Sequence, residues 1–135
     1  MEERIRTITH KGQQILLVDM SNCTSEQVAR IARLVPASTV THPRGSVLLL
    51  ADFTGAQIDK ETLEILKQAT VFDRPHLKKS AWVGFESLPK VFYDNLKAFS
   101  RRDLPVFHTR EEALEFLVAD EEGQIASGQE AVGTG

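Results

Sequence analysis

The sequence predicts an α/β protein, a single domain built on a mostly parallel five-stranded sheet with helices on its faces. Three observations carry that prediction. Short continuous apolar runs recur at 14–19 (QILLVD), 46–52 (SVLLLAD) and 80–85 (SAWVGF), and runs that short read as strands covered on both faces. Stretches with apolar residues at helical spacing separate them. A helix between two neighbouring strands makes those strands parallel, through a right-handed crossover. The full expected order is β-β-α-β-α-β-α-β-α.

At 135 residues the chain fits one domain. A domain of that size buries roughly two-thirds of the surface its unfolded chain exposes, so it needs neither disulfide nor metal to fold. Sixteen basic and 19 acidic residues leave a net charge of −3, too mild to draw the whole body to nucleic acid or to an anionic membrane. Cys23 is the one cysteine, which fits a reducing, cytoplasmic setting. The opening MEERIRTITH lacks the apolar core of a signal peptide. No apolar run approaches the roughly 20 residues of a membrane-spanning helix.

The elements follow in order. Alternation over 4–8 predicts a half-buried strand, and the glycine turn around Gly12 folds it back as a hairpin onto 14–19. Thr24 and Gln27 fit a capping box. Val28, Ile31, Ala32 and Val35 then share one helix face, and Pro36 is expected to stop that helix. A turn at 42–45 leads into the 46–52 strand. Asp59 is the expected N-cap of a second helix with Ile58, Thr62, Ile65, Leu66, Ala69 and Phe72 inward, ending at 74–76. After the 80–85 strand, Ser87 and Pro89 start a third helix with Leu88, Phe92, Leu96 and Phe99 as its stripe. A short strand at 104–107 follows. Thr109 and Glu112 form a second capping box, with Ala113, Phe116 and Leu117 inward. Residues 120–135 are rich in small and polar groups and are expected to form a loose tail beyond a domain spanning 1–119.

In an open parallel sheet the ligand crevice lies beyond the carboxyl ends of the strands. Those ends carry Asp19, Ser21 and Asn22; Asp52, Phe53, Thr54 and Gly55; Gly84, Phe85 and Glu86; and Phe107 and His108. Asp19, Ser21, Asn22, Asp52, Phe53, Thr54, Gly55, Phe85 and His108 form the candidate binding set. Two acids at strand ends could hold magnesium and accept a phosphoryl group, although a receiver-type site usually has a consecutive acidic pair and here Met20 follows Asp19. The alternative is that both acids cap loops and helix starts. Cys23 lies near a helix start with His108 as its only candidate base; an inert, partly buried thiol is the simpler reading. His10, His42, His76 and His108 show no metal-ligand spacing. No GxGxxG, P-loop or G-x-S-x-G pattern occurs, so no cofactor is expected. Arg44, Arg74, Lys78, Lys79, Arg101 and Arg102 precede strands and are expected at the amino edge, as an anion or partner patch or as cations favoured at helix C-termini. Trp82 reads as core. Phe53, Phe85 and Phe107 either pack in the core or floor an apolar ligand site.

ILLVDMSN, VLLLADFTG, KKSAWVGFESLPK and LPVFHTREEALEFL, in that order, resemble the SpoIIAA-like proteins of STAS type, over about residues 4 to 119. The resemblance implies the same β-β-α-β-α-β-α-β-α fold, a shape related to lipid-binding CRAL-TRIO domains, and a non-enzymatic regulatory or ligand- and protein-binding role. In anti-sigma-factor antagonists of this type a serine after an aspartate, at the start of the second helix, is phosphorylated. Here Asp59 is followed by Lys60, so the resemblance does not carry that switch over. A protein partner or a small apolar, lipid-like ligand is the expected occupant. The other readings are an apolar-ligand carrier and a metal-assisted hydrolase or phosphotransfer protein using Asp19 and Asp52. A homodimer through an exposed helix or the edge strand is compatible with the expected fold.

Overall fold

A computed structural model describes residues 4–85, 90–91, 94 and 105–119. Within them, strands β1 (Ile5–His10) and β2 (Gln13–Asp19) form the hairpin, followed by helix α1 (Ser25–Thr39), β3 (Val47–Asp52), helix α2 (Lys60–Asp73), a 3-10 turn (Arg74–His76), β4 (Leu77–Val83), β5 (Val106–Phe107) and helix α3 (Arg110–Val118). The sheet is five-stranded in the order β1-β2-β3-β4-β5. β1 runs antiparallel to β2, and every other pair is parallel. The helix expected over 87–99 lies outside the described residues except for Lys90, Val91 and Asp94, and so does the tail from 120.

Strictly sequential strand order has a consequence for the layers. Right-handed crossovers between neighbours all advance the same way, so their helices fall on one face. α1 and α2 accordingly pack together against Val18, Leu49, Ala51 and Trp82. α3 follows the last strand and covers the other face, where Ala113 and Leu117 meet Ile15, Leu17, Leu48, Leu50, Ala81 and Val83. Odd and even positions of β3 thus enter different cores, and all six of its residues are buried. Lys79 fastens α3 from below: its ammonium donates to the carbonyls of Phe116 and Ala119 at 2.9 and 3.1 Å and lies 4.7 Å from the Phe116 ring centroid.

Local chemistry explains the boundaries. The β1–β2 turn places Lys11 and Gly12 at positive φ (50° and 80°), as a type I′ hairpin turn requires. At α1, Thr24 Oγ1 accepts from the Gln27 N–H and the Gln27 side chain accepts from the Thr24 N–H, which completes the capping box. At α3 the box is displaced: Thr109 Oγ1 accepts from Glu112 N–H, but the Glu112 carboxylate accepts from His108 N–H.

Three expectations need correction. Pro36 does not end α1, which continues to Thr39. The last turn is held by Val40 N–H donating to the Pro36 carbonyl, and by the Thr39 hydroxyl, which lies 3.2 Å from that carbonyl and 2.9 Å from Asp73. The strand expected at 80–85 starts earlier, at Leu77, because a bulge admits Lys78 between the Val47–Leu77 and Leu48–Lys79 pairs. The inner face of α2 departs from expectation at its end: Thr62 and Leu66 are buried and Ile58 and Ile65 pack against the core as expected, but Leu63 and Asp73 are buried as well and Phe72 is 50% exposed. The strict 3.6-residue stripe from Leu66 leads to Asp73, a residue that a hydrophobic pattern passes over.

Candidate functional site

The loops at the carboxyl edge are built as two matching rungs. Asp19 and Asp52 are register partners on β2 and β3. Each is followed two residues later by a hydroxyl that turns back onto it. Asp19 Oδ1 accepts from the backbone N–H and the hydroxyl of Ser21 at 3.0 and 2.6 Å. Asp52 Oδ1 accepts from the N–H and hydroxyl of Thr54 at 3.0 and 2.7 Å. Such side-chain turns offer the chain an alternative to continued strand. The rungs are also joined to each other: Met20 N–H donates to Asp52 O and Asn22 N–H to Thr54 O, while Phe53 N–H donates to Val83 O and Gly84 N–H to Phe107 O.

Arg110, the first residue of α3, spans the two acids. Its Nε donates to Asp52 Oδ2 at 2.7 Å, and its Nη2 lies 3.2 Å from Asp19 Oδ1. Arg4 completes the cluster, donating to Ser21 O at 3.0 Å and lying 3.6 Å from Asp19 Oδ1. Burial alone would raise the Asp19 carboxyl, but the Ser21 hydrogen bonds and the Arg110 charge hold it below the ordinary carboxylate value. For Arg110 burial opposes the charge, but the hydrogen bonds and charges of Asp52 and Asp19 together outweigh it, raising the guanidinium further. The Asp19 carboxyl is therefore held in its ionised form, and both acids find their counter-charge within the fold, in Arg110. Among the described residues no group of three or more His, Cys, Asp or Glu side chains could hold a metal ion.

The other expected residues divide between surface and core. Asn22, Thr54, Gly55 and His108 are exposed and Ser21 is half-buried, so these share one rim with the acids. Asn22 adopts the left-handed conformation, φ 57°, with its side chain lying against Gly55. Phe53 and Phe85 are 1% and 2% exposed. They form an aromatic trio with Trp82 under α1 and α2, with centroids 5.0 to 5.3 Å apart. Phe107 is on the opposite face, 5.3 Å from Phe116. Cys23 is buried with the α1/α2 core, and burial pushes its thiol up, against a reactive thiolate. Of the basic set, Arg44, Arg74 and Lys78 are exposed at the amino edge, Lys79 turns to α3, and Arg101 and Arg102 lie outside the described residues.

The sequence reading missed Arg110 and Arg4. A signal for Arg110 existed: a cation at the first position of a helix opposes the macrodipole, so it must be held by acids nearby. Gly84 was also undervalued. Its φ is +76°, and a Cβ there would stand 2.7 Å from the Thr54 nitrogen and Cα. Gly84→Ala should lower stability by about 1–2 kcal/mol from conformation alone, with the clash added; a urea midpoint unchanged from wild type would contradict this.

Under α1 and α2 lies a cavity of about 60 Å³, lined mainly by apolar groups including Val18, Val35, Leu49, Leu66 and Trp82. That is far below the roughly 300–1,000 Å³ of drug-sized ligand clefts. Among the described residues no helix is long and apolar enough to cross a membrane. Comparison with family models, with curated proteins and with solved structures finds no match to this chain.

Proposed function

We propose that this protein is a non-enzymatic binding module of SpoIIAA-like, STAS type whose working surface is the carboxyl rim of the sheet. The observation that carries this reading is the internal use of the two strand-end acids. Asp19 and Asp52 bind Arg110 and their own loops rather than standing free for proton transfer or phosphoryl acceptance. The result is a rigid ledge with Asn22, Thr54, Gly55 and His108 presented to solvent. Ledges of fixed loops on a parallel sheet serve recognition well, because little conformational entropy is lost on docking. The α/β class, a five-stranded mostly parallel sheet with helices packed on it, is consistent with the resemblance seen in the sequence, although the order of the described elements differs somewhat from the one expected. Asp59 caps α2 through the Thr62 N–H at 2.8 Å, and Lys60 is the first helical residue, so that helix start offers no serine to a kinase.

The test has two arms. A photo-crosslinking residue at Asn22 should give one discrete protein adduct in the native cytoplasm, and the same group at Arg30, on the outer side of α1, should not. A screen of phosphoester, carboxylic ester and glycoside substrates should show no turnover. Turnover that is lost in Asp52→Asn while unfolding stays cooperative would overturn the reading.

A further inference from the structure

Two polar groups on the wall of the α1/α2 cavity lack the partners that burial demands. Asp73 is 5% exposed, and among the described residues its side chain has a single hydrogen-bond donor, the Thr39 hydroxyl at 2.9 Å to Oδ1. Ser80, on β4, is 7% exposed, and its hydroxyl makes no hydrogen bond among the described residues. Both line the same cavity as Thr70, Leu66, Val35 and Trp82. Buried polar atoms in folded proteins are almost always satisfied, and each exception needs an occupant or a purpose. Desolvation raises the Asp73 carboxyl to about 6, against the Thr39 hydrogen bond and the influence of His76, so near neutral pH it is a buried carboxylate whose desolvation these neighbours do not offset.

The space and its access are defined. A water-sized occupant needs roughly 10–15 Å³ on this measure, so about 60 Å³ admits about four or five non-hydrogen atoms. The walls at Ala69, Thr70 and Leu77 are only half-buried. Ala32 and Ala69 also line an outer groove of about 410 Å³ between the helices, together with Arg33, Pro36, Ile65 and Phe72. Two alanines therefore separate cavity from groove, and small side chains leave the helices room to part.

We propose that this cavity is a binding site for a small alkylammonium ion, with the ammonium on Asp73 and Ser80 and the hydrocarbon against Trp82, Leu66 and Val35. A cation supplies the charge that Asp73 lacks in a low-dielectric site, an ammonium donates to both orphaned oxygens, and the remaining lining suits an alkyl chain. This site is remote from the carboxyl rim, and its existence does not depend on the role proposed for that rim.

Titration of the full chain with butylammonium chloride at about pH 8, followed by heteronuclear NMR, tests it. Saturable shifts are expected at the amides of Thr70, Asp73 and Ser80 and at the Trp82 indole. Affinity should fall at least about tenfold in Asp73→Asn, and butan-1-ol should bind at least about tenfold more weakly than the amine. Should Asp73→Asn fail to fold, a wild-type series from about pH 8 to about pH 5 replaces it; binding should weaken as Asp73 takes up a proton. Absence of saturable shifts, equal binding by Asp73→Asn, equal binding of the alcohol, or binding indifferent to pH would each overturn the proposal.

Discussion

Replacing Arg110 with methionine should cost about 3 kcal/mol of folding stability, and much of that loss should be recovered when Asp52 becomes asparagine in the same chain. Methionine keeps most of the aliphatic stem and deletes the guanidinium. The Asp52 side chain is 7% exposed, and its Oδ2 has Arg110 Nε as its donor at 2.7 Å. Deleting one member of a buried ion pair leaves the other charge desolvated and uncompensated, at roughly 3–5 kcal/mol. Arg110 is itself 34% exposed, so water can partly replace it and the lower end of that range applies. Asp52→Asn alone should be milder, since Arg110 keeps Asp19 at 3.2 Å and asparagine can still accept from Thr54. Urea midpoints of wild type, the two single variants and the double variant close the cycle. A coupling below about 0.5 kcal/mol would mean that the bridge does not hold α3 to the strand ends.

That bridge also marks the limit of what the sequence made legible. Strands at Leu16, Leu49 and Trp82 were visible because each run is short, apolar and bounded by turns, and period and length are properties of the chain alone. The caps at Thr24 and Asp59 were equally local, since donor and acceptor lie three residues apart. The meeting of Asp19 with Asp52 followed from placing two strand ends side by side. Arg110 could not be found this way, because its partner Asp52 is 58 residues distant and only the packing of α3 brings them together. The last turn of α2 departed from expectation for a different reason. Reading hydrophobicity as inwardness put Phe72 inside and ignored Asp73, yet the helix buries Asp73, because Leu63 and Leu66 set its rotation and Thr39 of α1 receives the carboxyl. The sheet order needed tertiary information as well: both faces of β3 are apolar, so its pattern names no neighbour.

The same buried acid gives the second large effect, and its sign is the reverse of the usual carboxylate. Asp73 is raised from 3.8 to about 6 by burial, against the hydrogen bond from Thr39 and the influence of His76. Between those values the folded chain holds a proton that the unfolded chain has released. Stability falls with rising pH wherever the native state binds more protons. The contribution of Asp73 is therefore fully favourable below about pH 4, declines through about pH 6 and is lost above it. A separation of about two pH units corresponds to about 3 kcal/mol. Asp19, Asp59 and Glu115 are lowered by their hydrogen bonds and ion pairs and act in the opposite direction at lower pH, so the wild-type profile alone mixes the two. The difference between wild type and Asp73→Asn separates them. Asparagine matches the shape and accepts from Thr39, but it carries no charge to desolvate. The variant should be about 2–3 kcal/mol more stable than wild type near pH 8 and no more stable near pH 4, by urea unfolding across that range. A difference independent of pH would show that Asp73 is not desolvated in the native protein. A stabilisation of the expected size would mean that the chain keeps, at neutral pH, a charge that weakens its own fold, which is the cost associated with groups retained for binding.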